Sequence, residues 1–112
     1  MGATMRQIIY DKLKEIAHVE GLITYQDVGD LVGLDMHDPG DRVAIAQLLD
    51  DINREEVTEH HRPMLSAVVV RKEDSIPGQG FFKCAENLGR CSVGADETFY
   101  FEELRRVYDA WH

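Results

Sequence analysis

The chain has 112 residues, of which 44% are hydrophobic, and this length and composition predict one globular domain spanning residues 1–112. Its formal net charge of −9 is concentrated in residues 27–59, where two bases stand against ten acids, and such a segment repels a polyanion. No stretch approaches the ~20 apolar residues of a membrane-spanning helix, so we expect no membrane partner, and two cysteines, Cys84 and Cys91, favour reduced thiols in the cytoplasm over a disulfide.

The N-terminal residues predict a first helix. Thr4 and Gln7 have the spacing of a capping box, in which side chains satisfy the backbone amides at a helix start. Apolar residues follow at helical spacing, namely Met5, Ile9, Leu13 and Ile16. Gly21 is placed to end this helix in a left-handed cap.

A short strand at Ile23 and two further helices are predicted next. The second helix is expected over residues 24–33, from a threonine cap to a glycine. Asp38 followed by Pro39 is a strong helix start, because proline fits the first helical turn. The third helix should run to about Glu56 with a broad apolar face.

The stretch Arg62–Phe82 predicts a β-hairpin around which the other elements are organised. Its apolar run, Met64–Val70, contains three consecutive valines, and β-branched residues favour strands. Both faces of this strand are apolar, so helices should cover it on both sides. Pro77–Gly80 then predicts a turn, and the aromatic pair that ends the stretch predicts a return segment.

Two further elements complete the predicted fold. Residues 82–89 predict a short helical turn closed by Gly89, and a linker at Arg90–Ala95 leads to a last helix from about Asp96. The order helix, helix–turn–helix, two-stranded hairpin, helix is that of an α+β winged helix. In this fold the hairpin is the wing and the third helix is the recognition helix.

Three segments carry a family resemblance. Residues 24–28 read Thr-Tyr-Gln-Asp-Val, residues 39–42 read Pro-Gly-Asp-Arg, and Pro63 precedes the valine-rich run and a later glycine turn. In these features residues 20–82 resemble the C-terminal winged-helix domain of the DNA alkyltransferases and alkyltransferase-like proteins, with their Thr-Tyr-Gly-Glu-Val segment, arginine finger and Pro-Cys-His-Arg motif. The resemblance implies a winged-helix fold and a DNA-facing ancestry.

The chain lacks the Pro-Cys-His-Arg motif of that family. After Pro63 it has Met64, Leu65 and Ser66 instead of Cys-His-Arg. A methionine has no thiolate to attack an alkyl group and a leucine cannot relay a proton, so alkyl transfer is excluded. We predict that Ser66 bonds to backbone inside a buried strand rather than acting as a nucleophile.

Metal, cofactor and phosphate sites are not predicted. His60 and His61 are adjacent, so in extended chain they point to opposite sides and rarely share one ion. Cys84 and Cys91 do not have the spacing of a C-x₂-C ligand pair. Pro77–Gly80 lacks the Gly-Lys-Ser/Thr of a phosphate loop. We therefore expect no catalytic residue, no cofactor and no metal.

The candidate binding residues lie on two predicted surfaces. The third helix carries Arg42 among Asp35, Asp38 and Asp41, which disfavours major-groove docking. The basic cluster lies in and around the predicted wing. Together the candidates are Tyr25, Arg42, Arg62, Arg71, Lys72, Gln79 and Lys83.

These features predict a recognition module without enzymatic activity. The leading hypothesis is protein–protein interaction, in which the acidic helix–turn–helix surface faces a partner with a basic surface. The alternative is a nucleic-acid-binding protein that uses the basic wing.

Overall fold

The computed structural model describes residues 2–94 and 96–112, which form five α-helices and one pair of short strands. The helices are α1 (Met5–His18), α2 (Tyr25–Val32), α3 (Pro39–Thr58), α4 (Gln79–Asn87) and α5 (Glu97–Ala110); the strands are β1 (Ile23–Thr24) and β2 (Val69–Val70). A 3₁₀ turn at Leu65–Val68 leads directly into β2. The last residue of the predicted linker, Ala95, lies outside the described residues.

The three helix starts predicted from capping residues are confirmed. The side-chain oxygens of Thr4, Thr24 and Asp38 each accept a hydrogen bond from the backbone amide three residues later, at 3.1, 3.2 and 2.8 Å. Each bond satisfies one of the amides that a helix start leaves without an intrahelical partner. The third helix continues to Thr58, two residues beyond its predicted end.

Two of the predicted helix ends are also confirmed, and one is shifted. Gly33 ends α2 with φ 74°, and Gly89 follows α4 with φ 72°, both in the left-handed region that glycine adopts readily. The left-handed residue after α1 is Glu20, with φ 55°, and not Gly21. Since α1 ends at His18 with Val19 as its C-cap, the left-handed position falls one residue earlier than predicted.

The predicted winged helix is wrong, because the apolar run does not form a hairpin. Only its last two residues are extended, and β2 pairs in parallel with β1, placing Ile23 opposite Val69 and Thr24 opposite Val70. All of Met64–Val70 is buried, with α1, α3 and α5 packed around it. Coverage by helices was predicted and is confirmed.

The predicted return strand is wrong as well, since α4 takes its place. The loop before it closes on itself through a hydrogen bond from the amide of Arg71 to the carbonyl of Ile76 at 2.9 Å. Phe81, Cys84 and Ala85 then recur at helical spacing, and all three are buried. An aromatic pair alone is too short to distinguish a strand from a helix. The spacing of the apolar residues after it favours the helix.

Side chains from α3 and α5 satisfy the peptide groups of the central segment, by which we mean Met64–Val70. The amide of Ser66 donates to Asn53 Oδ1 at 3.0 Å, and the Tyr100 hydroxyl donates to the carbonyl of Ala67 at 3.0 Å. Both side chains are buried, at 1% and 0% exposure. A buried irregular backbone requires such partners, because water cannot reach it.

A buried glutamate completes this set of bonds. Glu103 is fully buried, and its Oε2 accepts from the amide of Met64 at 3.0 Å. The same carboxylate pairs with Arg90 through two bonds of 2.5 and 2.7 Å, and with Arg106 at 3.2 Å. One carboxylate therefore links the central segment, the residues after α4 and α5.

Replacing Glu103 by alanine should lower the free energy of unfolding by about 3 kcal/mol, because the amide of Met64 and the guanidinium of Arg90 would lose a buried partner. Urea denaturation followed by circular dichroism measures the change. The matched control is Glu102→Ala, which removes an exposed glutamate 3.8 Å from Arg106 and should change stability by less than about 0.5 kcal/mol. Equal losses of unfolding free energy in the two variants would contradict the role of Glu103 as a buried hydrogen-bond and ion-pair partner.

Gly29→Ala should lower the melting temperature by several degrees, through a loss of about 1–3 kcal/mol. A Cβ at Gly29 would lie 2.6 Å from the carbonyl oxygen of Leu34 and 3.0 Å from Ile45 Cδ1, so α2 and its following turn would have to shift. The control is Gly80→Ala in α4, where no atom lies within 4 Å of the added Cβ. An unchanged melting temperature for Gly29→Ala would show that this turn yields without strain.

Candidate ligand-binding cavity

A cavity of about 270 Å³ opens between the start of α2, one face of α3 and the first turn of α4. Its apolar wall contains the buried side chains of Ile45, Leu49 and Phe81. The polar or charged side chains that line it are Tyr25, Arg42, Asp50, Ser66 and Arg71. Drug-sized ligands occupy pockets of roughly 300 Å³ or more, so this cavity suits one small ring.

Tyr25 joins two of the elements that form the cavity. It is the first residue of α2, and its hydroxyl oxygen accepts a hydrogen bond from the amide of Gly78, the N-cap of α4, at 2.8 Å. Burial raises the pKa of Tyr25, while the bond from Gly78 opposes the rise, so the phenol is protonated at neutral pH. Because the oxygen accepts the bond from Gly78, the hydroxyl proton can be donated to a ligand.

Arg42 is exposed in the first turns of α3 and forms no ion pair with any described residue. The three aspartates near it in sequence, Asp35, Asp38 and Asp41, hold the turn between α2 and α3. Each accepts a hydrogen bond from a backbone amide of that turn or of the first turn of α3, at 2.8 to 2.9 Å. None of the three lines the cavity, so Arg42 faces it without a carboxylate from this group.

An open depression shares Tyr25 with the cavity and brings together three bases, Arg42, Arg71 and Lys72. Arg71 pairs with Asp74 at 2.5 Å, and hydrogen bonding to Arg71 lowers the pKa of Asp74. Lys72 has no ion pair among the described residues. The carboxylate of Glu73 also lines this depression. Three bases against Glu73 and the Asp74 paired with Arg71 leave one net positive charge on this surface.

Asp50 is the only carboxylate among the described residues that line the cavity. It lies on α3, eight residues after Arg42 and therefore on the same side of the helix. Burial raises the pKa of Asp50, and a hydrogen bond with the Cys84 thiol partly offsets the rise. Burial and the nearby carboxylate together raise the pKa of Cys84 to about 11.

Ser66 belongs to the inner wall, at 4% exposure. Its hydroxyl oxygen accepts from Asn53 Nδ2 at 2.8 Å, and its amide donates to Asn53 Oδ1. The predicted bond to backbone within a strand is wrong, since the partner is a side-chain amide and the segment is a 3₁₀ turn. An amide cannot take the proton from a serine nucleophile, so this pair positions Ser66 without activating it.

The cavity and its depression contain four of the seven predicted binding residues, which are Tyr25, Arg42, Arg71 and Lys72. Gln79 and Lys83 of α4 line a separate shallow depression. The predicted basic wing is therefore divided between different surfaces.

Arg62, the seventh candidate, lies in a structural network. Its guanidinium bonds to buried Glu56 at 2.6 Å and to the Tyr10 hydroxyl at 3.2 Å, and it stacks over the Trp111 ring at 4.6 Å from the centroid. Its hydrogen bond to Glu56, the largest cause, raises the pKa of Arg62. Burial, followed by the Glu56 contact, raises the pKa of Tyr10 to about 12.

No group of three or more histidine, cysteine, aspartate or glutamate side chains in residues 2–94 and 96–112 is arranged to hold a metal ion. His60 and His61 are both exposed in the segment that follows α3.

Sequence reasoning missed Asp50 as a lining residue, because it was counted only as part of an acidic surface. A signal for it exists in the spacing of Arg42, Ala46 and Asp50. Residues four apart lie on one side of a helix, and an alanine between two charged residues leaves space there.

Comparison of the chain with protein-family models, with curated proteins and with solved structures returned no match. Among the described helices, none combines the length and the apolar character needed to cross a lipid bilayer.

Ellman's reagent at pH 8 should react quickly with one thiol per native chain, that of half-buried Cys91. Cys84 is 2% exposed and has a pKa of about 11, so it should react only after unfolding in guanidinium. Cys91→Ser should abolish the fast reaction, whereas Cys84→Ser should leave it intact. Two fast equivalents in the native protein would contradict the described burial of Cys84.

Proposed function

We propose that the protein is a non-enzymatic nucleic-acid recognition module that accepts one unstacked base in its cavity. The observation that carries this proposal is the convergence of Tyr25, Arg42 and Arg71, from three different segments, on one cavity with an apolar wall. Single-stranded nucleic acids are bound by this combination of cations for the phosphates and aromatic or apolar surface for the bases. Both cysteines are free thiols, as expected in the reducing cytoplasm, and we propose that the protein acts in that compartment.

The distribution of acids supports this proposal over a protein partner. The negative charge of residues 27–59 disfavours nucleic acid only where its carboxylates lie beside the bases. Glu56 is buried against Arg62, and Glu55 pairs with Arg6 at 3.3 Å. With the three aspartates of the α2–α3 turn also bonded to backbone, Asp50 is the one acid of this region that lines the cavity.

The cavity can hold a base by contacts of two kinds. Phe81 and Leu49 provide apolar surface, and base–aromatic contacts of this type contribute about 1–3 kcal/mol per base. Arg42 and Lys72, at the depression beside it, are placed for the flanking phosphates. Phosphate contacts position a strand, while groups inside the cavity determine which base is accepted.

The resemblance to the DNA alkyltransferases and alkyltransferase-like proteins, although the winged helix that it implied is not formed, is compatible with this proposal. Two of the segments that carry it contain Tyr25 and Arg42. In space, Tyr25 and Arg42 line the same cavity. A shared DNA-facing ancestry would account for this convergence without any alkyl transfer.

A second candidate is a protein–protein interaction module whose acidic surface on α2 and α3 faces a basic partner. The observation that favours it is exposure. Asp27 and Asp30 of α2 are exposed, and Val43 of α3 is 69% exposed, although none of the three lines the cavity.

Short single-stranded DNA at low salt, followed by fluorescence anisotropy, tests the leading proposal. Arg42→Glu and Lys72→Glu should each weaken binding about tenfold or more and reduce the slope of log K against log salt by about 0.7, since each removes one phosphate contact. The control is Arg105→Glu, the same charge change on an α5 residue whose side chain is 74% exposed.

Two results would contradict the proposal: no binding of the wild-type protein at low salt, or equal losses in all three variants. In the second case the affinity would depend on net charge alone and not on the cavity. Binding of a basic peptide that is unaffected by Arg42→Glu would favour the second candidate.

A further inference from the structure

The inner end of the cavity contains a carboxylate without a counterion. Asp50 is half-buried and forms no ion pair with any described residue, although Arg54 lies near enough to lower its pKa. The Cys84 thiol lies near enough to lower the pKa of Asp50, but a thiol is a weak donor. A partly desolvated carboxylate with one weak partner gains stability from any further N–H donor that enters the cavity.

The other polar groups of the cavity differ from Asp50 because each of them can donate a hydrogen bond to a ligand. The Tyr25 and Ser66 hydroxyls each accept one bond from the protein and can donate their own protons to a ligand. The guanidinium of Arg42 only donates, whereas an ionised Asp50 only accepts. The cavity therefore requires an N–H donor at one position of the ligand and tolerates acceptors elsewhere.

The depth of Asp50 determines which edge of a base it meets. Arg42 is exposed and marks the opening, whereas Asp50 is half-buried and lines the cavity together with Ser66, which is 4% exposed. In a pyrimidine nucleotide the sugar is attached at N1, opposite C4 on the ring. A pyrimidine that enters from the opening therefore presents its 4-substituent to the inner end.

We propose that Asp50 is the specificity-determining residue of the cavity and selects cytosine over uracil and thymine. The 4-amino group of cytosine donates to the carboxylate, whereas the 4-carbonyl oxygen of uracil or thymine would place two acceptors against each other. The two kinds of ring have nearly the same size and fit the cavity equally, so the discrimination comes from hydrogen bonding. This inference rests on the proposed function, because it assumes that a base enters the cavity.

The charged and titratable groups around Asp50 leave it as the acceptor for the 4-amino group of cytosine. On α3 its neighbours are Asp51, which raises its pKa, and Arg54, which lowers it. From α4 it meets the Cys84 thiol, and from α2 the Tyr25 phenol, both of which are protonated at neutral pH. Asp50 is therefore the strongest acceptor that faces the cavity.

The test uses short strands of abasic residues in which only the central residue carries a base, either cytosine or uracil, with an all-abasic strand as reference. Wild-type protein should bind the cytosine strand about tenfold more tightly than the uracil strand, the ratio expected for one hydrogen bond to a charged acceptor. In Asp50→Asn the ratio should fall to about twofold or less, because an amide both donates and accepts. The matched control is Asp51→Asn, which makes the same change at the next residue, outside the cavity lining, and should keep the wild-type ratio.

The outcomes separate this inference from the proposed function. Wild-type protein that binds both bases more tightly than the abasic strand but equally well, or an unchanged ratio in Asp50→Asn, would overturn the role of Asp50 alone. If the strands with a base bind no better than the abasic strand, no base enters the cavity, and the proposed function fails together with the inference. Circular dichroism of Asp50→Asn verifies that the variant is folded.

Discussion

The buried peptide groups of Met64–Val70 need hydrogen-bond partners away from water, and much of the structure depends on meeting that need. The 3₁₀ turn at Leu65–Val68 and the two residues of β2 supply part of it. Asn53 of α3 and Tyr100 and Glu103 of α5 supply three further bonds, each to one backbone group. These three side chains hold α3 and α5 in fixed positions on either side of the segment, and Arg90 neutralises the buried carboxylate among them.

The cavity follows from this arrangement. Asn53 fixes Ser66 on the inner wall, and about one and two turns earlier on the same helix Leu49 and Ile45 provide the apolar surface. The bond between Gly78 and Tyr25 closes the other side. The charge of the chain is strongly negative overall, yet five of the ten acids in residues 27–59 bond to backbone amides or to arginines away from the cavity. Local arrangement therefore decides what the cavity attracts, and the net charge does not.

The features that depend on neighbouring residues were predictable from sequence. The caps at Thr4, Thr24 and Asp38 were predictable because each bond spans three residues, and the burial of the apolar run was predictable from its composition. The partner of β2 was not, since parallel pairing with β1 joins residues far apart, and the turn signal at Pro77–Gly80 after β2 suited a hairpin. The cavity was predicted only in part. The family resemblance suggested Tyr25 and Arg42 as binding residues, but the placement of Asp50 beside them depends on how α3 is rotated, which no local pattern specifies.

The bond from the amide of Met64 to Glu103 joins residues 39 positions apart, and the bond from Tyr100 to Ala67 joins residues 33 apart. Until α5 docks, both backbone groups of the central segment have to stay hydrated, so a partly assembled core of α1 and α3 would enclose water or remain open. Such long-range dependence makes independent folding of the first three helices unfavourable and couples early and late parts of the chain into one cooperative transition.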